Sequence, residues 1–229
     1  MYIECIGASG AGKTTIVAHT AQVLSAAGRV CVTRKTFFAP QRRKYFKAWW
    51  TVVHLWRLEV GTLRLLLQWA RAKGVKNACM KIHEYIKIRQ LTATMDTDTV
   101  ALWDSGFVQL FSKLAVMGFV SEEDAFFLIQ KHIPAQGVIV FLNTSLAESR
   151  NRKRKRAIAW ESAAALARLE QEKDDPARME FIQAVQAMQE RMVQKLTAAH
   201  VSVLLLDGMQ TPETNAALLV THVQHTHYV

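Results

Sequence analysis

Five short apolar runs punctuate the chain: Tyr2-Ile3-Glu4-Cys5-Ile6, Arg29-Val30-Cys31-Val32-Thr33, Thr97 to Asp104, Gly137 to Leu142 and Val201 to Leu206. Each is too short for a core helix and, as in Val138-Ile139-Val140-Phe141-Leu142, close to continuously apolar, the pattern of strands covered on both faces. Between them the period changes to helical. Helices are predicted from Ile16 to Ala27, stopped by Gly28; from Phe107 to Met117, stopped by Gly118; from the acidic start Ser121-Glu122-Glu123-Asp124; from Met179 to Ala199, after the break at Asp174-Asp175-Pro176; and from Glu213 to Val223. Strands alternating with helices predict an α/β fold with a parallel sheet.

One stretch exceeds this pattern. From Gln41 to about Ala70 the residues Trp49, Val52, Val53, Trp56, Val60, Leu63, Leu67 and Ala70 recur at helical spacing, yet Trp50, Leu55, Leu58, Leu65, Leu66 and Trp69 lie off that stripe. An apolar surface this wide needs a cover. Packing between the sheet and a second helix, a homodimer contact, or peripheral docking on an anionic membrane through residues 41–73 each supplies one. Gly74 divides this helix from another beginning at Lys76.

Composition sharpens the picture. The chain has 229 residues, half of them hydrophobic and 21% charged, which suits one globular domain and argues against disorder. Its net charge of +10 is concentrated: Arg34 to Arg89 hold fourteen Lys or Arg against Glu59 and Glu84. Met1 leads directly into the first strand, leaving no room for a signal peptide, so cytoplasmic residence is expected, with contact at the inner face of a membrane open. Cys5, Cys31 and Cys79 fall in no metal or redox spacing.

The chemistry centres on Gly7-Ala8-Ser9-Gly10-Ala11-Gly12-Lys13-Thr14-Thr15, which fits G-x-x-x-x-G-K-[ST] between a predicted strand and a predicted helix. Three of the ten glycines fall within six residues because backbone N–H groups must turn inward around an anion. The helix start adds a positive dipole end. Lys13 then brings a full charge to the β and γ phosphates, and the Thr14 hydroxyl stands ready to ligate Mg²⁺. ATP and Mg²⁺ are the implied cofactors.

Three other places can complete such a site. Asp104, a carboxylate ending the third strand, can order Mg²⁺ through water or accept a proton from an attacking hydroxyl; a helix N-cap is the alternative. Arg34, Phe37 and Phe38 follow the second strand, and Phe107 opens the helix after the third. These form a candidate acceptor wall beyond the carboxyl ends of the strands, with core-facing phenylalanines and a basic loop as the plainer account. Six of the seven residues Arg150-Asn151-Arg152-Lys153-Arg154-Lys155-Arg156 are cationic. A solvated face or a nucleic-acid tract is one reading, and a lid of phosphate-clamping guanidiniums over residues 150–175 is the other. Aromatic residues at helical spacing suit packing more than base stacking, so nucleic acid is not the expected partner.

Together these parts resemble the P-loop nucleoside and nucleotide kinases, closest to the thymidylate kinase-like branch. Ile6 to Thr15 matches that family's phosphate loop, and Asp104 its aspartate after the third strand. Thr33-Arg34 matches a Thr-Arg that precedes an acidic residue and proline, where this chain has Lys35-Thr36. The arginine that follows the aspartate is here Ser105. Leu142 to Arg156 is similar to the strand-to-lid passage, placing Arg152, Arg154 and Arg156, with Arg150, on the spacing of arginines that contact ATP. Leu205-Leu206-Asp207-Gly208 is similar to the adenine-side loop. The resemblance implies a three-layer fold over residues 1–229, with parallel strand order 2-3-1-4-5, a helical insertion at about 41–95 and a lid. It also implies an ATP- and Mg²⁺-dependent kinase of a small phosphate acceptor, a nucleoside or nucleoside monophosphate. A sugar or lipid-linked acceptor, or an ATPase or switch module, remains the alternative.

Overall fold

The computed structural model describes residues 1–38, 85, 86, 88–93, 95, 96, 98–160, 167, 169 and 175–226. Five strands form one sheet: β1 (Tyr2–Gly7), β2 (Val30–Thr33), β3 (Thr99–Trp103), β4 (Gly137–Asn143) and β5 (Ser202–Asp207). Their order is β2-β3-β1-β4-β5 and every pairing is parallel, the topology implied above. The strand ends differ from the sequence reading by one or two residues.

Alternation along the strands sorts the core into two layers. Tyr2, Ile6, Ala101, Trp103, Ile139 and Phe141 face one side, where they meet helices α3 (Phe107–Val116), α4 (Glu122–His132) and α6 (Pro176–Ala198), together with helical residues between 85 and 93. Ile3, Cys5, Val100, Leu102, Val138, Val140 and Leu142 face the other, against α1 (Lys13–Ala26) and α7 (Pro212–Thr226). The result is a helix–sheet–helix sandwich. Since β1 is the central strand, the loop leaving its carboxyl end lies mid-sheet, with the exits of β3 and β4 on either side.

Two segments differ from the sequence reading for identifiable reasons. Residues 34–38, expected as loop, form the short helix α2 (Arg34–Phe38). Thr33 and Thr36 cap it reciprocally: the Thr33 N–H donates to Thr36 Oγ1 at 2.9 Å and the Thr36 N–H to Thr33 Oγ1 at 3.2 Å. That is a capping box with threonine in place of Glu or Gln. The basic run, which by its place after a strand is expected to begin a helix, does not open it; α5 (Leu146–Trp160) starts four residues earlier, where the Glu148 N–H donates to Ser145 Oγ at 3.2 Å.

The exits of β4 and β5 are bound together. The Gly208 N–H donates to the Asn143 carbonyl at 2.9 Å, and a Cβ on Gly208 would overlap the Thr144 hydroxyl and lie 2.9 Å from the Asn143 oxygen. Gly208→Ala is therefore expected to cost about 1–3 kcal/mol through overpacking, a melting temperature several degrees lower by calorimetry. Among the described residues no helix is long and apolar enough to cross a membrane. The Trp-rich segment 41–84 with Cys79, and residues 161–166, 168 and 170–174 of the expected lid, lie outside the described residues.

Candidate functional site

The loop between β1 and α1 needs its glycines for backbone shape and for room. Gly7, Gly10 and Gly12 have φ of 133°, 97° and 100°, left-handed backbone that a side chain would strain. Space is short as well. A Cβ at Gly7 would stand 2.7 Å from the Leu142 carbonyl, and one at Gly10 would run into the Ser149 carbonyl and lie 2.9 Å from Lys153 Cγ. Helix α5 thus lies directly on the loop.

Lys13 is buried and its ammonium folds back along the loop, donating to the carbonyls of Gly7 at 2.8 Å and Ala8 at 2.7 Å. Burial pushes its pKa down to about 8, against an opposing pull from the Asp104 charge. A polyphosphate beside it would raise that value again. Nucleotide binding at pH 8 is thus expected to take up roughly half a proton, measured as a buffer-dependent calorimetric heat, with affinity declining at higher pH. An uptake of zero at pH 8 would contradict this placement of Lys13.

The carboxylate at the end of β3 comes to the same place. Thr14 Oγ1 donates to Asp104 Oδ2 at 2.6 Å, joining α1 to the β3 exit across ninety residues of chain. The second oxygen, Asp104 Oδ1, is buried and takes no hydrogen bond among the described residues, with Arg34 Nη1 3.7 Å away. A hydroxyl and a carboxylate in contact, one oxygen still open, form a donor set that suits a hard, oxygen-seeking divalent cation such as Mg²⁺. The helix-cap role considered for Asp104 is not the one it takes. Gly106 occupies the N-cap position of α3 and offers no side chain.

That helix is capped from elsewhere, by Glu4, a residue to which the sequence reading assigned no role. It is fully buried on β1 and accepts hydrogen bonds from the N–H groups of Gly106, Val108 and Gln109. A carboxylate in the middle of an apolar strand was the available signal.

The remaining candidates divide. Arg152 reaches the loop: its Nη1 donates to the Ala11 carbonyl at 3.4 Å, while its Nε is fixed by Glu148 Oε1 at 2.8 Å. Arg150 instead donates to the Met179 sulfur on α6, and Arg154 and Arg156 are exposed. Arg34 borders the site through Asp104. Phe37 packs edge-on against Trp103, centroids 5.8 Å apart, and Phe107 is fully buried among Tyr2, Tyr85 and His132. Both rings pack into the core, the plainer account; Phe38 ends α2, and its ring lies outside the described residues. Ser9, Thr14 and Thr15 are exposed. Asp207 turns its carboxylate to the Met209 N–H at 2.8 Å beside the β4 exit.

No protein-family model matches the chain, and no curated protein matches it in sequence. Solved structures do. A deoxyadenosine kinase from M. mycoides with bound dATP is 14% identical, with a TM-score of 0.52 over 98% of this chain and 100% of that one. A shikimate kinase from Acinetobacter baumannii in complex with shikimate is 13% identical, with a TM-score of 0.45 over 98% and 93%. At 14% identity the likeness to the first of these shows the fold alone.

Proposed function

We propose that this chain is an ATP- and Mg²⁺-dependent kinase that transfers a γ-phosphoryl group to a small acceptor, a nucleoside or nucleoside monophosphate. The observation that carries the reading is the meeting of Lys13, Thr14 and Asp104 at the exits of neighbouring strands β1 and β3, beneath a helix that brings Arg152 to the same loop. The fold it shares with a dATP-binding deoxyadenosine kinase supports the acceptor class.

In this reading the loop amides and Lys13 hold the donor phosphates, and Arg152 sits where charge on the transferred group is offset. Thr14 and Asp104 would hold Mg²⁺, which when bound neutralises the β- and γ-phosphate oxygens. Asp104 also stands ready to accept the acceptor's hydroxyl proton. Fixing donor and acceptor in one geometry supplies most of the acceleration, since a loose phosphoryl transition state needs little covalent help.

The test is transfer from γ-labelled ATP to a panel of deoxynucleosides, nucleoside monophosphates and sugars. Label appearing on a nucleoside or its monophosphate supports the reading. Label released only as inorganic phosphate points to an ATPase or switch module, and label on a sugar alone overturns the acceptor class.

A further inference from the structure

Glu4 stands apart from the chemistry but touches the turn that carries it. Its place on β1, between inward-facing Tyr2 and Ile6, sends its carboxylate under the sheet face rather than into the site. There Oε1 accepts from the N–H groups of Gly106 at 2.9 Å and Gln109 at 3.2 Å. Oε2 accepts from the Val108 N–H at 3.2 Å and the Tyr2 hydroxyl at 3.1 Å. Three of these donors are the unpaired amides at the start of α3. The fit leaves no slack: a Cβ at Gly106 would lie 2.6 Å from Glu4 Oε2 and 2.7 Å from its Cδ. Glu4 also pairs in register with Trp103, the residue before Asp104.

We propose that Glu4 is a positioning residue for the Asp104 side of the site: from β1, the strand that ends in the phosphate loop, it holds the 104–109 turn so that Asp104 meets Thr14. The inference rests on the reading of Thr14 and Asp104 as the cation pair. Only an acceptor of four hydrogen bonds does this work. A protonated Glu4 can turn its new O–H toward the Tyr2 hydroxyl, but it then meets the three amides without a negative charge, so those hydrogen bonds weaken and the turn loosens. Burial raises the Glu4 pKa from 4.5 to about 7, with the four hydrogen bonds pulling against it. Titratable neighbours among the described residues are Tyr2 on its own strand and Tyr85 and His132, whose rings meet Phe107. Asp104 and Lys13 share with Glu4 the surroundings of Cys5.

Stability and positioning should therefore move in opposite directions. The folded state binds the Glu4 proton more tightly than the unfolded chain, so this contribution to stability is full below 4.5 and lost as pH rises through 7. The hold on the turn strengthens over the same range.

The experiment compares wild type with Glu4→Gln between pH 5.5 and 8.5. It measures amide hydrogen exchange at Gly106, Val108 and Gln109, corrected for intrinsic rates, and ATP affinity with and without Mg²⁺. Wild type should gain amide protection, and the Mg²⁺-dependent part of its ATP affinity, with a midpoint near 7. Glu4→Gln should lose about 10–100-fold of the Mg²⁺-dependent part and the midpoint with it, while Mg²⁺-free ATP binding stays as in wild type. Should Glu4→Gln not fold, Tyr2→Phe serves instead: it removes one bond to the carboxylate, and the midpoint should move upward. Unchanged Mg²⁺ dependence and an unchanged pH profile in the variant overturn the inference. If wild type binds no ATP at all, the kinase reading fails; pH-independent protection of the three amides would then overturn the role of Glu4 separately.

Discussion

Lys13→Ala is expected to lower phosphoryl transfer about 10³-fold, equivalent to about 4 kcal/mol of lost transition-state stabilisation, while the protein stays folded. The size follows from where the ammonium sits. It is a buried cation held by two loop carbonyls, in surroundings that weaken its own charged state, and in the proposed reading it faces the donor phosphates. A group of that kind contributes little to the empty fold and much to a developing charge. Unchanged circular dichroism and a melting curve shifted by only a few degrees, with single-turnover rates about 10³-fold below wild type, are the expected pair of results. Wild-type turnover in this variant contradicts the site.

Asp104→Asn is expected to cost about 10²–10³-fold in turnover by a different route. An amide keeps the shape of the carboxylate and an oxygen to accept from Thr14 Oγ1, so the turn survives. It has no negative charge to offer Mg²⁺ or Arg34 and cannot take a proton from a hydroxyl. The Mg²⁺ concentration needed for half-maximal rate should rise with the loss of turnover, which separates this variant from Lys13→Ala. A rate lowered with no change in Mg²⁺ requirement would leave Asp104 a base alone, and no change in either would remove it from the site.

The five strands and the glycine turn between β1 and α1 were legible because both are written locally, in runs of apolar residues and in closely spaced glycines, whereas the strand order 2-3-1-4-5 came from the resemblance. Asp104 was legible as a strand-terminal carboxylate, although its contact with Thr14, ninety residues away, was not. What escaped was set by contacts across the fold. The helix at Arg34–Phe38 is capped by Thr33 and Thr36, and Thr36 stands with Lys35 where the resemblance implies an acidic residue and proline. Phe107 opens α3 beyond the β3 exit, but its first-turn direction points it into the core. Arg150 and Arg152 belong to the same basic run, and the helical phase of α5 sends one to Met179 and the other to the loop. Glu4 passed as part of an apolar strand, since nothing within the strand shows that three amides at the start of α3 need an acceptor.

The most direct test of the central claim is calorimetric titration of the wild-type chain with ATP in the presence of Mg²⁺. Saturable heat at one site per chain, abolished by Lys13→Ala, is the predicted result. No heat from ATP, nor from GTP in its place, would contradict the assignment of the loop and everything built on it.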